Sequence, residues 1–423
     1  MDFVLPAPVK EALGRLEAAG YAAYAVGGCV RDHVLGMEPH DYDICTSAAP
    51  QEMQKVFQGE RTIETGIKHG TLTVLLSGMP LEITTFRVDG EYLDGRHPSS
   101  VRFADRVEDD LSRRDFTINA MAYSPKTGLV DPFGGQADCK KGVIRCVGEA
   151  EQRFGEDALR ILRALRFSAR LGFPIEEATA RAAHAGRDML QKISRERIAA
   201  ELTGTLMGAH CAQVLADFPD VLCAAIPDLE ALTHGDRWPH TLRTLTFAPQ
   251  DPTLRWAALL MEAPRPDRFD LPYEILQGLK MPTKLCETVR KLTPIENRSF
   301  RKGLPSIRWL LMRLGPEQAE QMLLLLEADM LALHPASSEK AIRKEYRQNR
   351  EELHRLLDEN VCYSLSQLAV NGQDMAKAGL RGPQIGQTLN RLLLQVVMNE
   401  LPNEREALLN AIHQENEDNL RAL

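Results

Sequence analysis

Closely spaced cysteine pairs, long apolar runs and an excess of positive charge are all missing from this chain, and each absence excludes something. The eight cysteines are scattered at 29, 45, 139, 146, 211, 223, 286 and 362, with no CxxC pair. A zinc framework and a disulfide scaffold are therefore not expected, and a reducing cytoplasmic setting fits. Apolar runs such as Met322–Leu326 fall far short of the roughly 20 residues that cross a bilayer. The opening stretch MDFVLPAPVKEALGRL lacks a basic region followed by an apolar core, so no targeting signal and no membrane partner are expected. Lys and Arg number 51 against 59 Asp and Glu, a net charge of −8. Phosphate-backbone binding usually announces itself as a basic excess, so the average ranks a nucleic-acid partner low. What is present is ordinary globular material, 44% hydrophobic and 26% charged, in a chain of 423 residues. That is long for one core and suggests two to four domains.

The texture changes along the chain. Strand-like segments gather near the N-terminus, at Ala22–Val26, Tyr42–Cys45, Leu72–Leu76, Leu81–Arg87 and Val143–Val147. The third and fourth, separated by Ser77-Gly78-Met79-Pro80, read as a hairpin. From about Glu151 the pattern becomes helical, at Glu156–Leu171, Ile175–Ala185, Ser194–Met207 and beyond. A mixed head of about 150 residues thus precedes an all-α remainder. Charge is segregated as well. Lys280–Lys302 carries seven bases against two acids, whereas Asn399–Leu423 carries six acids against two bases.

The chemistry-bearing pattern lies in the head. Val26-Gly27-Gly28-Cys29-Val30-Arg31-Asp32 follows a predicted strand and opens a predicted helix, where glycine lets backbone N–H groups approach a phosphate and Arg31 adds a charged fork. Twelve residues on come Asp41-Tyr42-Asp43. On a strand, residues i and i+2 share a face, so both carboxylates can bind one pair of hard cations. Two Mg²⁺ ions held there would activate an attacking hydroxyl and stabilise a leaving pyrophosphate. A lone DxD is more often a solvated loop; the combination of strand, glycine pair, helix and DxD raises its significance. Glu82, between Leu81 and Ile83, is either a third carboxylate ligand or an outward-facing strand residue.

This spacing resembles the DNA polymerase β nucleotidyltransferase superfamily. Further segments narrow the resemblance: Thr65-Gly66-Ile67-Lys68-His69-Gly70-Thr71, Arg113-Arg114-Asp115-Phe116-Thr117-Ile118-Asn119-Ala120, Asp131-Pro132-Phe133-Gly134-Gly135, and the run from Glu156-Asp157 to Arg166-Phe167. In order, they are similar to the class II CCA-adding enzymes (tRNA nucleotidyltransferases) and their relatives, the bacterial poly(A) polymerases. The resemblance covers roughly residues 20 to 205. It implies an α+β fold, a polymerase-β-like nucleotidyltransferase head with mixed sheet followed by all-α neck, body and tail, here at 1–148, 149–207, 208–302 and 303–423, with tRNA bound by the tail. It implies catalysis and Mg²⁺ binding at Asp41 and Asp43, triphosphate contacts at Gly28, Arg31 and Arg114, and base or nucleotide contacts at Asp157, Arg160, Arg163 and Arg166. Asp115 and Asn119 would orient the ribose or brace the switch between bases, in which the Arg87–Pro98 segment takes part. The implied partners are tRNA, CTP and ATP, with no protein partner. The implied activity is addition of C, C and A to a tRNA 3′ end; poly(A) synthesis, A-only addition and an inactive RNA-binding module are the alternatives.

The neck residues support this role on their own chemistry. Asp157, Arg160, Arg163 and Arg166 recur every three residues, interleaved with Leu159, Leu162 and Leu165 as a packing stripe. A salt-bridged surface helix is the commoner meaning of such a stripe. Yet a carboxylate can accept the amino proton of cytosine or adenine while a guanidinium donates to the neighbouring ring nitrogen. Uracil and guanine present the opposite polarity there. Elsewhere, Lys280–Lys302 is a candidate for the tRNA backbone. Leu254–Glu262 resembles the helix that bears the His-Asp pair in relatives with a phosphohydrolase domain, but Met261-Glu262 stands in that place. No such activity is expected, and His234 and His240 read as ordinary surface or core histidines.

Overall fold

The computed structural model describes residues 3–67, 70–89 and 101–421. The chain divides into two compact units, Met1–Thr233 and His234–Leu423.

The first unit is built on a sheet of seven strands in the order β3-β4-β5-β2-β1-β8-β9. These are β1 (Ala23–Val26), β2 (Asp43–Thr46), β3 (Arg61–Ile63), β4 (Thr71–Leu76), β5 (Met79–Thr85), β8 (Ala122–Ser124) and β9 (Gly128–Val130). β2 and β5 run parallel and the other neighbours antiparallel, so the sheet is mixed. β6 (Arg87–Asp89) and β7 (Val101–Phe103) pair separately; Gly90–Pro98 of the proposed switch segment, and Lys68-His69, lie outside the described residues. The β4–β5 hairpin is tighter than its sequence suggests. Ser77 and Gly78 both have positive φ, 49° and 83°, a two-residue turn whose twist suits the strands, so β5 already begins at Met79. Leu81, Ile83 and Thr85 of β5 point into the core, which leaves Glu82 on the open face.

Val143–Val147 is not a strand. Its backbone bonds are divided between two neighbours: Thr117 N donates to Arg145 O and Val147 N to Asp115 O, while Ile144 N donates to Pro174 O. Each side yields one isolated bridge and neither a ladder.

Helices α1 (Ala7–Ala18), α2 (Gly28–Val34), α3 (Pro50–Val56), α4 (Val107–Ser112) and α5 (Gly135–Lys141) pack around the sheet. Beyond it follow α6 (Ala150–Glu156), α7 (Leu159–Leu171), α8 (Glu177–Gly186), α9 (Arg195–Leu206), α10 (Cys211–Asp217), α11 (Pro219–Ala225) and α12 (Glu230–Thr233). The expected single helix Glu156–Leu171 is therefore two. Asp157 is extended, at φ −144° and ψ 104°, because its carboxylate accepts from the Leu159 N–H at 3.0 Å and turns the chain locally. Leu159, Leu162 and Leu165 are buried, as the packing stripe requires.

The second unit is all helical: α13 (Trp238–Phe247), α14 (Pro252–Leu260), α15 (Leu271–Gly278), α16 (Thr283–Leu292), α17 (Ile307–Leu314), α18 (Pro316–Leu333), α19 (Glu339–Asp358), α20 (Gly372–Lys377), α21 (Pro383–Val397) and α22 (Arg405–Arg421). Trp256 is fully buried among the first of these, and Leu392, Val397 and Leu408 centre a second cluster near the C-terminus.

Candidate active site

The carboxylate pair stands at the mouth of β2. Asp41 precedes the strand and Asp43 is its first residue, both exposed. The parallel register sets Asp43 directly beside Glu82 of β5, and Glu82 lines the same cavity as the pair. Two cavities meet at Asp41, Asp43 and His40. One, of about 310 Å³, is lined by Gly27, Gly28, Arg31, Arg114, Arg163 and Phe167 among others. The other, of about 850 Å³, extends over Thr73, Ser77, Gly78 and Glu82. Desolvation by the surrounding protein pushes the Asp43 carboxyl up; the Arg114 charge opposes this, while Glu82 and Asp41 add to it. Asp41, Asp43 and Glu82 line one cavity and offer hard oxygen donors of the kind a divalent cation takes, although the three do not come within 4.8 Å of one another as a set.

The glycine turn is shaped for this site. Gly27 has φ 78°, and a Cβ there would come within 2.9 Å of Arg114 Nη1. The turn conformation and the close approach of the guanidinium both require glycine at 27, next to the expected Gly28. Arg114 pairs with buried Asp110 at 3.2 Å, while its Nε is buried without a partner, an orphan donor facing the requirements of an anion. Arg31 is buried and committed: Nε and Nη2 both donate to Asp32 Oδ1, at 2.8 and 2.6 Å, and Nη1 donates to Asn119 Oδ1 at 2.8 Å.

From Arg31 a continuous polar chain runs to the neck helix. Asn119 Nδ2 donates to Asp115 Oδ1 at 3.2 Å, and Arg163 forks onto Asp115 Oδ2 at 2.7 and 2.6 Å. Burial pushes the Asp115 carboxyl up, but the charge and hydrogen bonds of Arg163 outweigh it and hold the group below the usual carboxylate range. Arg166 Nε lies 3.1 Å from Glu201 of α9. Glu201 shifts the other way: desolvation raises it, with Arg166 and Arg163 opposing. The guanidinium groups of Arg31, Arg163 and Arg166 surround the Phe167 ring at 5.4, 5.4 and 5.1 Å.

The polar stripe of the neck is not one surface. Asp157 lies off α7, its Oδ2 accepting from Arg197 Nη2 at 2.7 Å. Arg160 is buried, donating to Glu156 at 2.6 Å, to Arg153 O at 3.0 Å and to Arg113 O at 3.1 Å. Only Arg163 of the four lines the 310 Å³ cavity. Arg197 and Glu201, both on α9, went unremarked in the sequence. Their signal was available: a cation and an anion four apart on a helix whose packing partner carries the arginine stripe. Gly204 on the same helix makes room, since a Cβ there would meet Arg166 Cδ at 2.5 Å.

The basic run Lys280–Lys302 is largely consumed internally. Arg298 and Arg301 turn inward onto buried Glu262, Arg301 also binding Asp329 at 2.7 Å. Arg290 binds Asp270 and stacks on Tyr273, and Lys284 lies 3.4 Å from Glu317. His240 is a core histidine, 2.6 Å from Asp329. His240, Glu262 and Asp329 are the one group of three ligating side chains within 4.8 Å among the described residues, but the Arg301 guanidinium already supplies their cation.

Such a head, with paired carboxylates between an arginine-lined cavity and an open one, defines a nucleotidyltransferase. Residues 23–145 match the family model for the poly A polymerase head domain, 172–218 that for a probable RNA and SrmB-binding site of polymerase A, and 247–412 that for a putative tRNA nucleotidyltransferase domain 2. The CCA-adding enzyme of Limosilactobacillus fermentum is 35% identical over 415 residues, 96% of each chain. That of Geobacillus kaustophilus is 36% identical over 416 residues, 95% of this chain and 96% of its own. The crystal structure of the Bacillus stearothermophilus CCA-adding enzyme in complex with CTP superimposes with a TM-score of 0.81 at 30% identity, covering 99% of this chain and all of that one. The chain belongs to the CCA-adding enzyme family. A Thermotoga maritima CCA-adding enzyme complexed with tRNA, at 22% identity and a TM-score of 0.60, shares the fold. No described helix is long and apolar enough to cross a membrane.

Proposed function

We propose that the protein adds C, C and A in turn to the 3′ end of tRNA, taking CMP and AMP from CTP and ATP and releasing pyrophosphate. The observation that carries this is the placement of Asp41 and Asp43 where an arginine-lined cavity meets an open one. The nucleoside triphosphate occupies the arginine side, with the orphan Nε of Arg114 and the Gly27-Gly28 turn receiving phosphate oxygens. The tRNA terminus enters from the open side. Asp41 and Asp43, with Glu82 beside them, hold Mg²⁺, which when bound lowers the pKa of the terminal hydroxyl and stabilises charge on the transferring phosphoryl group. Arg31 lines the same side of the site; bonds to Asp32 and Asn119 use three of its five N–H donors and fix the turn, which leaves it capacity for a phosphate oxygen.

Base choice falls to Asp157 and Arg160, and hydrogen-bond accounting leaves them capacity. The Asp157 carboxylate uses two of about four lone-pair sites. Arg160 makes three bonds from five N–H donors. An amino group of C or A meets the carboxylate, and its ring nitrogen meets the guanidinium. U and G would set a carbonyl against Asp157. Asp115, Asn119 and Arg163 brace this reading head against the triphosphate site. The absence of any disulfide among the eight cysteines suits a cytoplasmic enzyme.

The test offers purified protein three tRNAs, lacking CCA, ending after the first C and ending after the second, with Mg²⁺ and each nucleotide. Completion of all three to CCA, with arrest after A, is expected. Runs of A would instead identify a poly(A) polymerase, extension of the third tRNA alone an A-adding enzyme, and no incorporation would reject the enzyme reading.

A further inference from the structure

Arg31, Arg114, Arg163 and Arg170 all line the cavity of about 310 Å³. The first three are answered by carboxylates at close range: Arg31 by Asp32, Arg114 by Asp110 and Arg163 by Asp115. Arg170 is not. Its Nη2 comes no nearer than 4.0 Å to Asp32 Oδ2, and its side chain, 48% exposed, makes no hydrogen bond among the described residues. Asp32 is a poor partner for it, because the bonds Asp32 accepts come from Arg31, on the other oxygen. Packing does not call for a cation at 170 either, since α7 is held by Ile161, Leu162, Leu165 and Ala169, all buried. A base in the last turn also complements the helix dipole, but that role needs no cavity. Positions 163, 167 and 170 follow one another by about a turn, so Arg163, Phe167 and Arg170 share one side of α7.

We propose that Arg170 is a further substrate-binding residue, which holds the terminal phosphates of the incoming nucleoside triphosphate and then the leaving pyrophosphate; the proposal rests on the CCA-adding reading. In that reading the base lies at Asp157 and Arg160, and the transferring phosphorus at Asp41 and Asp43. The terminal phosphates extend away from the base, and Arg170 stands about 15 Å along α7 from Arg160, at the opposite end. Asp32 lies one turn of α2 beyond Gly28, so a guanidinium resting near Asp32 is close to the turn that receives phosphate. Exchanging a loose ion pair for a forked contact to phosphate costs little and gains a charge-assisted bond. These phosphates are identical in CTP and ATP, so Arg170 serves both nucleotides alike and takes no part in base choice. A phosphodiester of the RNA end offers the same oxygens and is the other source of such a ligand.

Arg170→Gln should raise the KM for CTP and for ATP by a common factor of about ten and weaken inhibition by inorganic pyrophosphate to match, the loss of one charge-assisted contact. The KM for tRNA and the preference for C and A over U and G should stay as they are. Inorganic tripolyphosphate, titrated into the protein with Mg²⁺ in a calorimeter, should bind Arg170→Gln about tenfold more weakly than the wild type. Arg170→Lys, which keeps the charge without the fork, should fall between them. Equal tripolyphosphate affinity in wild type and Arg170→Gln would overturn the proposal, whatever the melting curves show. So would a rise in the KM for tRNA alone, which would assign Arg170 to a phosphodiester of the RNA. Calorimetry reads the cavity without turnover, so failure of the wild-type protein to incorporate nucleotide would count against the CCA-adding reading alone.

Discussion

Arginine does opposite work in the two units. Around Phe167, Arg31, Arg163 and Arg166 converge beside a cavity that an anionic ligand can enter; Arg31 is buried, whereas Arg163 and Arg166 keep 32% of their side-chain surface exposed. Around Glu262, Arg298 and Arg301 close an ionic cluster whose acids are almost wholly buried. The first arrangement leaves charge incompletely answered: Arg114 Nε has no partner, and Asp43 is pushed up by desolvation and like charges. The second closes its charge in upon itself, although Arg298 Nε and Glu262 Oε2, 3.4 Å apart, make no hydrogen bond. Charge open to a cavity marks the candidate site, and charge enclosed with buried acids marks the scaffold, although the residue types are the same.

The sharpest way to break this contrast is Asp43→Asn. Its charge is held at a cost, since desolvation and the Glu82 and Asp41 carboxylates disfavour it in the folded state. Removing the carboxylate should lower nucleotide incorporation by about 10³-fold or more, the several kcal/mol that metal-assisted stabilisation supplies. The melting temperature at neutral pH should stay level or rise. A falling melting temperature would place Asp43 among the structural residues and erase the distinction.

Arg301→Met should do the reverse. It strands Asp329 and Glu262 with Arg298, Arg237 and His240 as poorer partners, and breaking a buried pair costs about 3–5 kcal/mol. Trp238, Trp256 and Trp309 all lie in the second unit, so urea unfolding followed by tryptophan fluorescence reads that unit specifically. Incorporation per folded molecule should hardly change.

Smaller effects belong to base choice. Asp157→Ala should reduce discrimination of C and A against U and G by about 1–3 kcal/mol, measured as ratios of kcat/KM. Arg197→Ala, which frees the Asp157 carboxylate, should lose part of that selectivity, and Arg197→Lys should recover some of it. Equal selectivity in all three would move base reading elsewhere.

How far the sequence carries can be seen at individual residues. The carboxylates, the glycine turn and the arginines were legible because phosphoryl transfer needs those types at short, fixed spacing. The Glu82 pairing with Asp43 was only half legible, because a strand's partner and register depend on contacts remote in sequence. The break at Asp157 escaped because a three-residue periodicity continues across it, while a single side-chain bond to Leu159 N ends the helix. The basic run misled for a related reason: sequence counts charges but not their directions, and Arg298 and Arg301 point inward. Net charge failed most plainly, averaging cations that face acids, such as Arg298 and Arg301, with exposed ones such as Lys340 and Arg347.

The smallest predicted effect tests whether the neck network is scaffold as well as site. Asp115 and Glu201 both face Arg163, yet Asp115 is held below its ordinary range and Glu201 above. A carboxylate depressed on folding contributes stability that is complete above its unfolded pKa, about 3.9, and is lost as pH falls through the folded value. A carboxyl raised on folding contributes in the opposite sense, stabilising at low pH and less so as pH rises through its folded value, above about 4.3. Asp115→Asn should therefore lower the melting temperature at neutral pH and flatten its fall below about pH 4, read by circular dichroism. Glu201→Gln should change the slope at higher pH instead, because it removes the group that loses stability there. If both variants shifted the acid limb alike, the two carboxylates would be equivalent partners of Arg163, and the neck arginines would belong with Arg301 as closed ionic scaffold.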